Sequence, residues 1–321
     1  ITGRIGVHLA EALVADGHQV RGLVWTADPG VAKLEGLPIN LVEGSLTVAE
    51  DVHQAMKGIE AVCHLGAAFQ AGGPFSNHDY FQINVVGTFN MLEAASQQRV
   101  EHFFFASTDA VYSKYPAGGL TEPICEDVMP KTPGGWYALS KVLGEEMCLG
   151  YLRSQRLPAT IFRFALVVAT DEILNFRQFY LSHWQETYEN RTTGVAVETR
   201  QQLFAHQAEK LVIARDENGR SYQKHILDVR DIVQAFRLAI SNPRTIGEVI
   251  QLAAPEPFVW ETTIPYLARA LEMEYIDLRL QGQSPTFYQF DLSKCRERIG
   301  YQPQFDIFNT IDYALDYRSR V

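Results

Sequence analysis

The first half of the chain alternates between short apolar runs and longer amphipathic runs. Residues 100–106 are apolar and aromatic, which is typical of a buried strand, and this run leads directly into Ser107-Thr108. Similar runs predict further strands at residues 17–24, 40–46, 61–68 and 159–164. Helices are predicted between them, at residues 49–57, at 84–94 and around Tyr137. Strands that alternate with helices predict an α/β fold with a parallel, doubly wound sheet.

Tyr137 and Lys141 carry the candidate chemistry. They are four residues apart, so on a helix their side chains share one face. A free tyrosine has a pKa of about 10, and a nearby ammonium lowers it. Thr108 follows a strand, at the edge where open α/β sheets bind ligands. We therefore predict Tyr137 as general acid/base, Lys141 as the cation that lowers its pKa, and Thr108 as the group that orients a substrate hydroxyl. By itself, Tyr-x-x-x-Lys also occurs on ordinary surface helices.

A glycine turn opens the chain. Gly3-Arg4-Ile5-Gly6 leads into an amphipathic run at residues 7–14, which fits the second half of a dinucleotide-binding loop. We expect that the sequence starts within this motif or that residues are omitted between Gly3 and Arg4. The strand predicted at residues 17–24 ends with neither the acid typical of NAD binding nor the arginine typical of NADP binding. The cofactor prediction is therefore NAD or NADP, leaning to NAD.

Composition narrows the function classes. The chain has 321 residues, of which 46% are hydrophobic and 21% charged, as in soluble globular proteins. A net charge of −10 argues against binding to nucleic acid or to an anionic membrane. The four cysteines and nine histidines are scattered, so we expect no metal site and a reducing, cytoplasmic location.

Several motifs together resemble the extended short-chain dehydrogenases/reductases, of the NAD-dependent epimerase/dehydratase family. Besides the glycine turn, they are His64-Leu65-Gly66-Ala67-Ala68, Asn84-Val85-Val86-Gly87-Thr88, Ser107-Thr108-x-x-Val111-Tyr112, Tyr137-x-x-Ser140-Lys141, Asp228-Val229-Arg230-Asp231, Asp291-Leu292-Ser293-Lys294 and Gly300-Tyr301-x-Pro303. The resemblance implies a Rossmann-type sheet domain made by residues 1–165 with 224–255. It also implies a smaller C-terminal substrate-binding domain, made by residues 166–223 with 256–321.

The same resemblance implies the functional residues. Catalysis would fall to Thr108, Tyr137 and Lys141. The implied cofactor-binding residues are Gly3, Arg4, Ile5, Gly6, Leu65, Gly66, Ala67, Asn84, Tyr137 and Lys141. Asn84 is expected to support the site structurally. Family members are often dimers, which predicts a homodimer through helices near residues 80–97 and 137–153.

Departures from the family pattern bear on the substrate. Thr108 is followed by Asp109 and Ala110, without the glutamate of the dehydratases. Residues 164–169 replace the asparagine and Tyr-Gly-Pro turn with which nucleotide-sugar epimerases seat a diphosphate. Lys224 stands just before the late His-x-x-Asp, where those enzymes usually have an arginine. A smaller sugar, polyol or sugar acid therefore becomes credible.

One later segment is rich in aromatic residues. An apolar stripe at roughly helical intervals consists of Ile173, Phe176, Tyr180, Trp184 and Tyr188. We predict that it forms the core of the substrate domain. The alternative is an aromatic lid over the substrate, with Arg177 or Arg191 contacting an anion.

These patterns predict an enzyme that moves hydride between NAD(P) and a secondary alcohol carbon of a sugar-like molecule. It would act as an epimerase, or as a net dehydrogenase or reductase of a non-nucleotide polyol, sugar acid or other alcohol. A non-catalytic dinucleotide-binding regulator is the remaining alternative, and the presence of all three catalytic side chains argues against it.

Overall fold

Short strands separated by helices make up the chain, whose computed structural model describes residues 1–69, 73 and 75–320. The strands are β1 (Arg21–Val24), β2 (Asn40–Glu43), β3 (Ala61–His64), β4 (His102–Thr108), β5 (Ala159–Phe164), β6 (Leu166–Val168), β7 (Leu211–Arg215), β8 (Gln223–Lys224), β9 (Ile226–Asp228), β10 (Val249–Leu252), β11 (Phe258–Val259) and β12 (Tyr275–Arg279). The helices are α1 (Arg4–Ala15), α2 (Ala49–Met56), α3 (Asn77–Asp79), α4 (Gly87–Gln97), α5 (Trp136–Arg153), α6 (Leu181–Tyr188), α7 (Ala196–Phe204), α8 (Val229–Ala239), α9 (Trp260–Leu271), α10 (Ser293–Ile299) and α11 (Ile307–Arg320).

The central sheet is parallel. Its four strands lie in the order β10, β5, β4, β3. β1 and β2 form a parallel pair, and β6 and β9 form another. Parallel neighbours need long crossover connections, usually helical. The connections here contain α4 between β3 and β4, and α5 between β4 and β5.

Helices cover both faces of this sheet. Successive side chains of β4 point to opposite faces. Phe103 and Phe105 join a buried core with Cys148 of α5, whereas Phe104 joins a second core with Phe236 of α8. A strand that is apolar on both faces needs cover on both, and the two cores supply it. The predicted α/β fold with a Rossmann-type, doubly wound parallel sheet is confirmed.

A separate buried core lies outside the sheet and contains the aromatic stripe. Ile173, Trp184 and Tyr188 are buried in it, and Phe176 and Tyr180 pack against it. The stripe is therefore core, as predicted, although two 3-10 turns precede α6 and the stripe is not one continuous helix. Only 2% of Trp184 is exposed, which favours the core over the alternative of a lid.

The remaining differences concern where elements begin and end. The strand predicted at residues 17–24 begins at Arg21, because Gly17, with a φ of +87°, ends α1 and the chain then turns. The helix predicted at residues 84–94 is a π-helix, Tyr80–Val86, followed by α4. Gly87 starts α4 beside Leu46, where an added Cβ would lie 3.0 Å from the Leu46 Cβ. None of the helices in the described ranges has the length and apolar character needed to cross a membrane.

Candidate active site

The carboxyl end of β4 and the first turn of α5 bring two predicted catalytic hydroxyls together. Thr108 is the last residue of β4, and its hydroxyl oxygen accepts a hydrogen bond from the Ala110 N–H at 3.2 Å. Tyr137 is the second residue of α5, and the Thr108 hydroxyl lies close enough to its phenol to lower the pKa of Tyr137. Both side chains line one cavity. The structure therefore brings the predicted acid/base and the predicted orienting hydroxyl together in one cavity.

Close packing and a buried ion pair fix α5 against the sheet. An added Cβ on Gly144 would lie 2.4 Å from a ring carbon of Phe105, so this helix position has no room for a larger residue. The next residue, Glu145, is fully buried and accepts a hydrogen bond from the Ser107 hydroxyl at 2.6 Å. Glu145 also accepts hydrogen bonds from Arg163 Nε at 2.8 Å and Nη2 at 2.7 Å. These contacts hold Tyr137 in position relative to Thr108.

The protonation of Tyr137 differs from the sequence prediction. Burial raises the pKa of Tyr137 to about 12, and the neighbouring Asp109 and Tyr80 add to the rise. The hydrogen bond from Thr108 and the guanidinium of Arg4 lower this pKa, but by less. The net pKa of Tyr137 is therefore above its ordinary value, the cation that lowers it is Arg4, and the predicted effect of Lys141 on this pKa stays a prediction. Removal of the phenol from water outweighs the nearby positive charge.

Lys141 lies one helical turn beyond Tyr137 and lines the same cavity, as the spacing predicts. Its side chain is buried, and its Nζ lies 4.7 Å from the centroid of the Phe105 ring. Burial lowers the pKa of Lys141 to about 8, although Cys148 and Glu145 act to raise it. Lys141 therefore loses its charge at a much lower pH than an exposed lysine does.

The glycine turn forms another part of the cavity wall. Gly3 is the N-cap of α1, whose first turn contains no acidic residue and no side-chain cap within the described part of the chain. An added Cβ on Gly3 would meet no atom within 4 Å, so the backbone borders open space. Free N–H groups and the helix dipole at this end favour an anion. The turn therefore fits the pyrophosphate of a dinucleotide.

A cavity of about 2350 Å³ connects the glycine turn with the catalytic hydroxyls. Its lining includes the predicted residues Gly3, Arg4, Ile5, Gly6, Leu65, Gly66, Ala67, Thr108, Tyr137 and Lys141. Asn84 is not part of the lining. Its side chain donates to the Ala68 carbonyl and to Ser140 Oγ, both at 2.9 Å, and accepts from the Ala68 N–H at 2.8 Å. Asn84 thus ties the segment after β3 to α5, a structural role.

The cavity is also lined by polar groups to which the sequence patterns assign no catalytic or cofactor-binding role. Lys114 forms a buried ion pair with Asp109, at 2.5 Å between Nζ and Oδ2. Lys224, at the end of β8, and the buried Tyr288 also line the cavity. Lys114 lies in an irregular segment, and Tyr288 comes from a distant part of the chain. Neither belongs to a periodic pattern or a motif that sequence reasoning could use.

A model of the NAD dependent epimerase/dehydratase family matches residues 1–253. An uncharacterised UDP-glucose epimerase of Bacillus subtilis (strain 168) is 23% identical over 335 residues, covering 99% of this chain and 95% of that protein. A short-chain dehydrogenase/reductase superfamily protein from Agrobacterium tumefaciens, solved with bound NAD, is 29% identical, with a TM-score of 0.83 over 99% of this chain and 95% of that one. UDP-glucuronic acid 4-epimerase from Bacillus cereus, solved with UDP-glucuronic acid and NAD, is 19% identical and has a TM-score of 0.73 over 99% of this chain and 97% of that one.

The matched region covers most of the chain and contains the glycine turn, Thr108, Tyr137 and Lys141. The chain therefore belongs to the NAD-dependent epimerase/dehydratase family, as its motifs predict. Within that family it is an enzyme of the extended short-chain dehydrogenase/reductase type.

Proposed function

We propose that this protein is an NAD(P)-dependent oxidoreductase or epimerase that transfers hydride at a secondary alcohol carbon of a sugar-like substrate. The observation that carries the proposal is that the neighbouring hydroxyls of Thr108 and Tyr137 line the same cavity as the glycine turn. A regulator that only bound a dinucleotide would have no use for this pair of hydroxyls. The arrangement therefore supports an enzyme over that alternative.

The mechanism assigns one step to each side chain. Thr108 hydrogen-bonds the substrate hydroxyl and holds it beside Tyr137, which exchanges a proton with the substrate oxygen. With a pKa of about 12, Tyr137 carries its proton at neutral pH and is suited to protonate a carbonyl oxygen during reduction. During oxidation the phenolate form of Tyr137 takes the hydroxyl proton of the substrate and becomes neutral; the charge of Arg4 stabilises this phenolate, and we propose that Lys141 does so too. A dinucleotide bound at the glycine turn supplies the hydride acceptor.

NAD is the proposed cofactor, in preference to NADP. β1 ends at Val24 and continues into Trp25 and Thr26, so no arginine follows it to receive a 2′-phosphate. Arg21 does line the cavity, but its guanidinium donates to the backbone carbonyls of Ala55 and Lys57. Calorimetric titration should show tighter binding of NADH than of NADPH. Equal affinities, or tighter binding of NADPH, would contradict this preference.

Epimerase and net dehydrogenase activities use the same catalytic residues. The segment after β5 forms β6, paired with β9, where the resemblance to nucleotide-sugar epimerases would place a turn that seats a diphosphate. This difference favours a substrate without a diphosphate, and hence the net dehydrogenase. The test is to incubate the purified protein with NAD and pairs of free and nucleotide-linked sugars. Accumulation of NADH indicates a dehydrogenase, whereas isomer exchange without NADH indicates an epimerase.

The remaining proposals concern assembly and location. The exposed apolar side chains Phe81, Phe89 and Leu143 lie on the π-helix, on α4 and on α5, which supports a homodimer through these helices. The core that contains the aromatic stripe supports a substrate-binding domain of residues 166–223 with 256–321, beside a Rossmann domain of residues 1–165 with 224–255. All four cysteines are free thiols, which supports a reducing cytoplasmic location.

A further inference from the structure

Two buried lysines, Lys114 and Lys224, line the cavity that contains Thr108 and Tyr137. Only 6% of Lys114 and 7% of Lys224 is exposed, and we call them the lysine pair. They are close enough for the charge of Lys114 to lower the pKa of Lys224. Burying a charge is costly unless an opposite charge or strong hydrogen bonds compensate it. Two buried ammonium groups in a catalytic cavity therefore suggest a ligand.

The protein itself neutralises only one member of the lysine pair. Lys114 forms its ion pair with Asp109, at 2.5 Å. Lys224 Nζ donates to the neutral amide oxygen of Gln178 at 3.3 Å and lies 4.9 Å from the centroid of the Phe176 ring. Among the residues that the structure describes, no carboxylate forms an ion pair with Lys224. When both lysines are protonated, this side of the cavity has one surplus positive charge.

Tyr288 adds a hydroxyl beside the lysine pair. Its residue is fully buried and lines the cavity, and Lys114 Nζ lies 5.0 Å from the centroid of its ring. The Tyr288 ring packs edge-on against the Tyr115 ring, with 5.9 Å between the ring centroids, and the Tyr288 hydroxyl has no hydrogen-bond partner among the described residues. Since a buried hydroxyl without a partner is unfavourable, this group is suited to donate to an anionic ligand.

Asp109 relates the lysine pair to the catalytic hydroxyls. It directly follows Thr108 in the chain, and its carboxylate raises the pKa of both Tyr137 and Lys224. Asp109, Tyr137 and Lys224 all line the same cavity. A small substrate whose hydroxyl contacts Thr108 and Tyr137 can extend another of its groups to Lys224.

We propose that Lys224, supported by Lys114 and Tyr288, binds the carboxylate of an acidic sugar whose secondary alcohol is presented to Thr108 and Tyr137. This inference rests on the proposed function and specifies its substrate class as sugar acids, such as uronates or aldonates. A single carboxylate balances the single surplus charge. A diphosphate carries more charge and needs more donors than one free lysine offers.

The test compares acidic and neutral sugars that share the same hydroxyls. Purified wild-type protein and Lys224→Met are assayed with NAD and either D-glucuronate or D-glucose, and with D-galacturonate or D-galactose. We expect the wild type to favour the acids, and the substitution to lower kcat/KM for the acids by about 10- to 100-fold, mainly through KM. The values for the neutral sugars should change by no more than about twofold, because the lost interaction involves only the carboxylate.

A matched control is Lys210→Met, which removes a lysine paired with Glu274 outside the cavity lining and should leave both kcat/KM values unchanged. Met is close to Lys in volume and suits a buried site, and thermal unfolding checks that Lys224→Met is folded. If that variant does not fold, the ratio of acid to neutral kcat/KM in the wild type decides alone. Equal or better use of the neutral sugars, or of UDP-glucose over D-glucuronate, would overturn the inference while leaving the proposed function intact.

Direct binding separates this inference from the proposed function. Calorimetric titration of D-glucuronate into the wild-type protein with NADH should show binding that Lys224→Met weakens and that D-glucose does not match. This result would support the carboxylate site even if no turnover were found, and such a lack of turnover would contradict the proposed function alone. Binding of D-glucuronate that is no tighter than that of D-glucose would overturn the carboxylate site.

The pH dependence of this binding is a second readout. Burial, together with the charge of Lys114, lowers the pKa of Lys224 to about 7, so Lys224 loses its proton within the assay range. The other titratable groups around the subsite are Asp109, Lys114, Tyr115, Tyr137, His183 and Tyr288. Burial and the charges of Arg177 and Lys224 lower the pKa of His183, whereas the charge of Glu186 raises it.

Because the carboxylate binds the protonated amine, D-glucuronate should bind more tightly as the pH falls from about 8 to about 6, with uptake of a proton. In Lys224→Met this dependence should disappear. A wild-type affinity that is independent of pH over this interval would contradict the assignment of Lys224.

Discussion

At the scale of single residues, the site depends on competition between burial and charge. Tyr137 is surrounded by groups that act in both directions on its pKa, and burial is the largest of these effects. Lys141 and Lys224 show the same competition, because burial lowers the pKa of each lysine. The sequence shows which charged residues lie nearby on a helix, but it does not show how much water each group loses on folding.

The first residue-scale prediction concerns the phenol of Tyr137. Tyr137→Phe removes the proton that is exchanged with the substrate oxygen, so kcat should fall by about 10²- to 10⁴-fold. Binding of NADH should persist, because the substitution leaves the glycine turn unchanged. Tyr275→Phe, at an exposed tyrosine of β12, is the control and should have wild-type activity. If Tyr137→Phe had unchanged turnover, the non-catalytic alternative would become the better hypothesis.

The second residue-scale prediction concerns pH. Because the pKa of Tyr137 is raised to about 12, only a small fraction is ionised near neutral pH. The ionised fraction increases about tenfold with each pH unit below the pKa, so oxidation of a saturating neutral sugar should accelerate from about pH 6 to about pH 8. Reduction uses the protonated phenol and should vary little over this interval. Because the pKa of Lys141 is about 8, this lysine keeps most of its charge up to about pH 7 and loses about half of it by pH 8, so the slope between about pH 6 and about pH 7 is the part that reports Tyr137.

Initial rates measured in both directions provide the check. Thr108→Val should lower both rates but keep the pH dependence of oxidation, because Tyr137 still titrates. An oxidation rate that does not change with pH would show that chemistry is not limited by Tyr137 as the base.

At the scale of elements, the packing of α5 on the sheet determines where Tyr137 lies in the active site. Its second residue, Tyr137, meets Thr108 only because the middle of the helix lies directly on β4. Gly144 permits this approach, and the buried pair of Glu145 with Arg163 ties α5 to β5. A small displacement of α5 should therefore affect catalysis as well as stability.

The element-scale prediction compares two glycines of the same helix. Gly144→Ala would put a methyl group against the Phe105 ring, so the helix must shift and the free energy of unfolding should fall by about 1–3 kcal/mol. Gly150→Ala meets no atom within 4 Å and should stabilise the protein by up to about 1 kcal/mol. Urea unfolding measures both, and kcat should fall only in Gly144→Ala. If the two variants had the same free energy of unfolding and the same kcat, the close packing of α5 on β4 would contribute to neither stability nor catalysis.

The pattern of apolar residues predicted the elements better than their ends. The strand at residues 159–164 was predicted with the bounds of β5, because a strand apolar on both faces leaves a continuous run in the sequence. The π-helix at Tyr80–Val86 does not follow from the sequence, since apolar periodicity does not distinguish an α-helix from a single wider turn.

Motif spacing found Thr108, Tyr137 and the glycine turn. The lysine pair was not recognised as a pair, because the fold brings together two positions that are 110 residues apart in the sequence.

At the scale of the whole molecule, the notable feature is that α4, α5 and the π-helix expose large apolar side chains. Phe89 is 47% exposed, Phe81 43% and Leu143 38%, although these helices also carry the buried core of the sheet domain. Exposed apolar groups that share neighbouring helices often mark an interface. The π-helix contacts α5, and α5 carries Tyr137. The dimer interface would therefore include the helix that carries the proposed acid/base.

The whole-molecule prediction follows from this arrangement. Leu143→Glu would place a charge in the centre of the proposed interface, where it has no partner, and should shift the protein from dimer to monomer in sedimentation velocity. Val195→Glu is the control, since Val195 is 66% exposed and lies near α7, away from these helices, and it should leave the dimer intact. Because α5 carries Tyr137, the monomer should also have a lower kcat, with its Rossmann fold preserved by circular dichroism. A wild-type protein that sediments as a monomer, or a Leu143→Glu variant that remains dimeric, would contradict a homodimer through these helices.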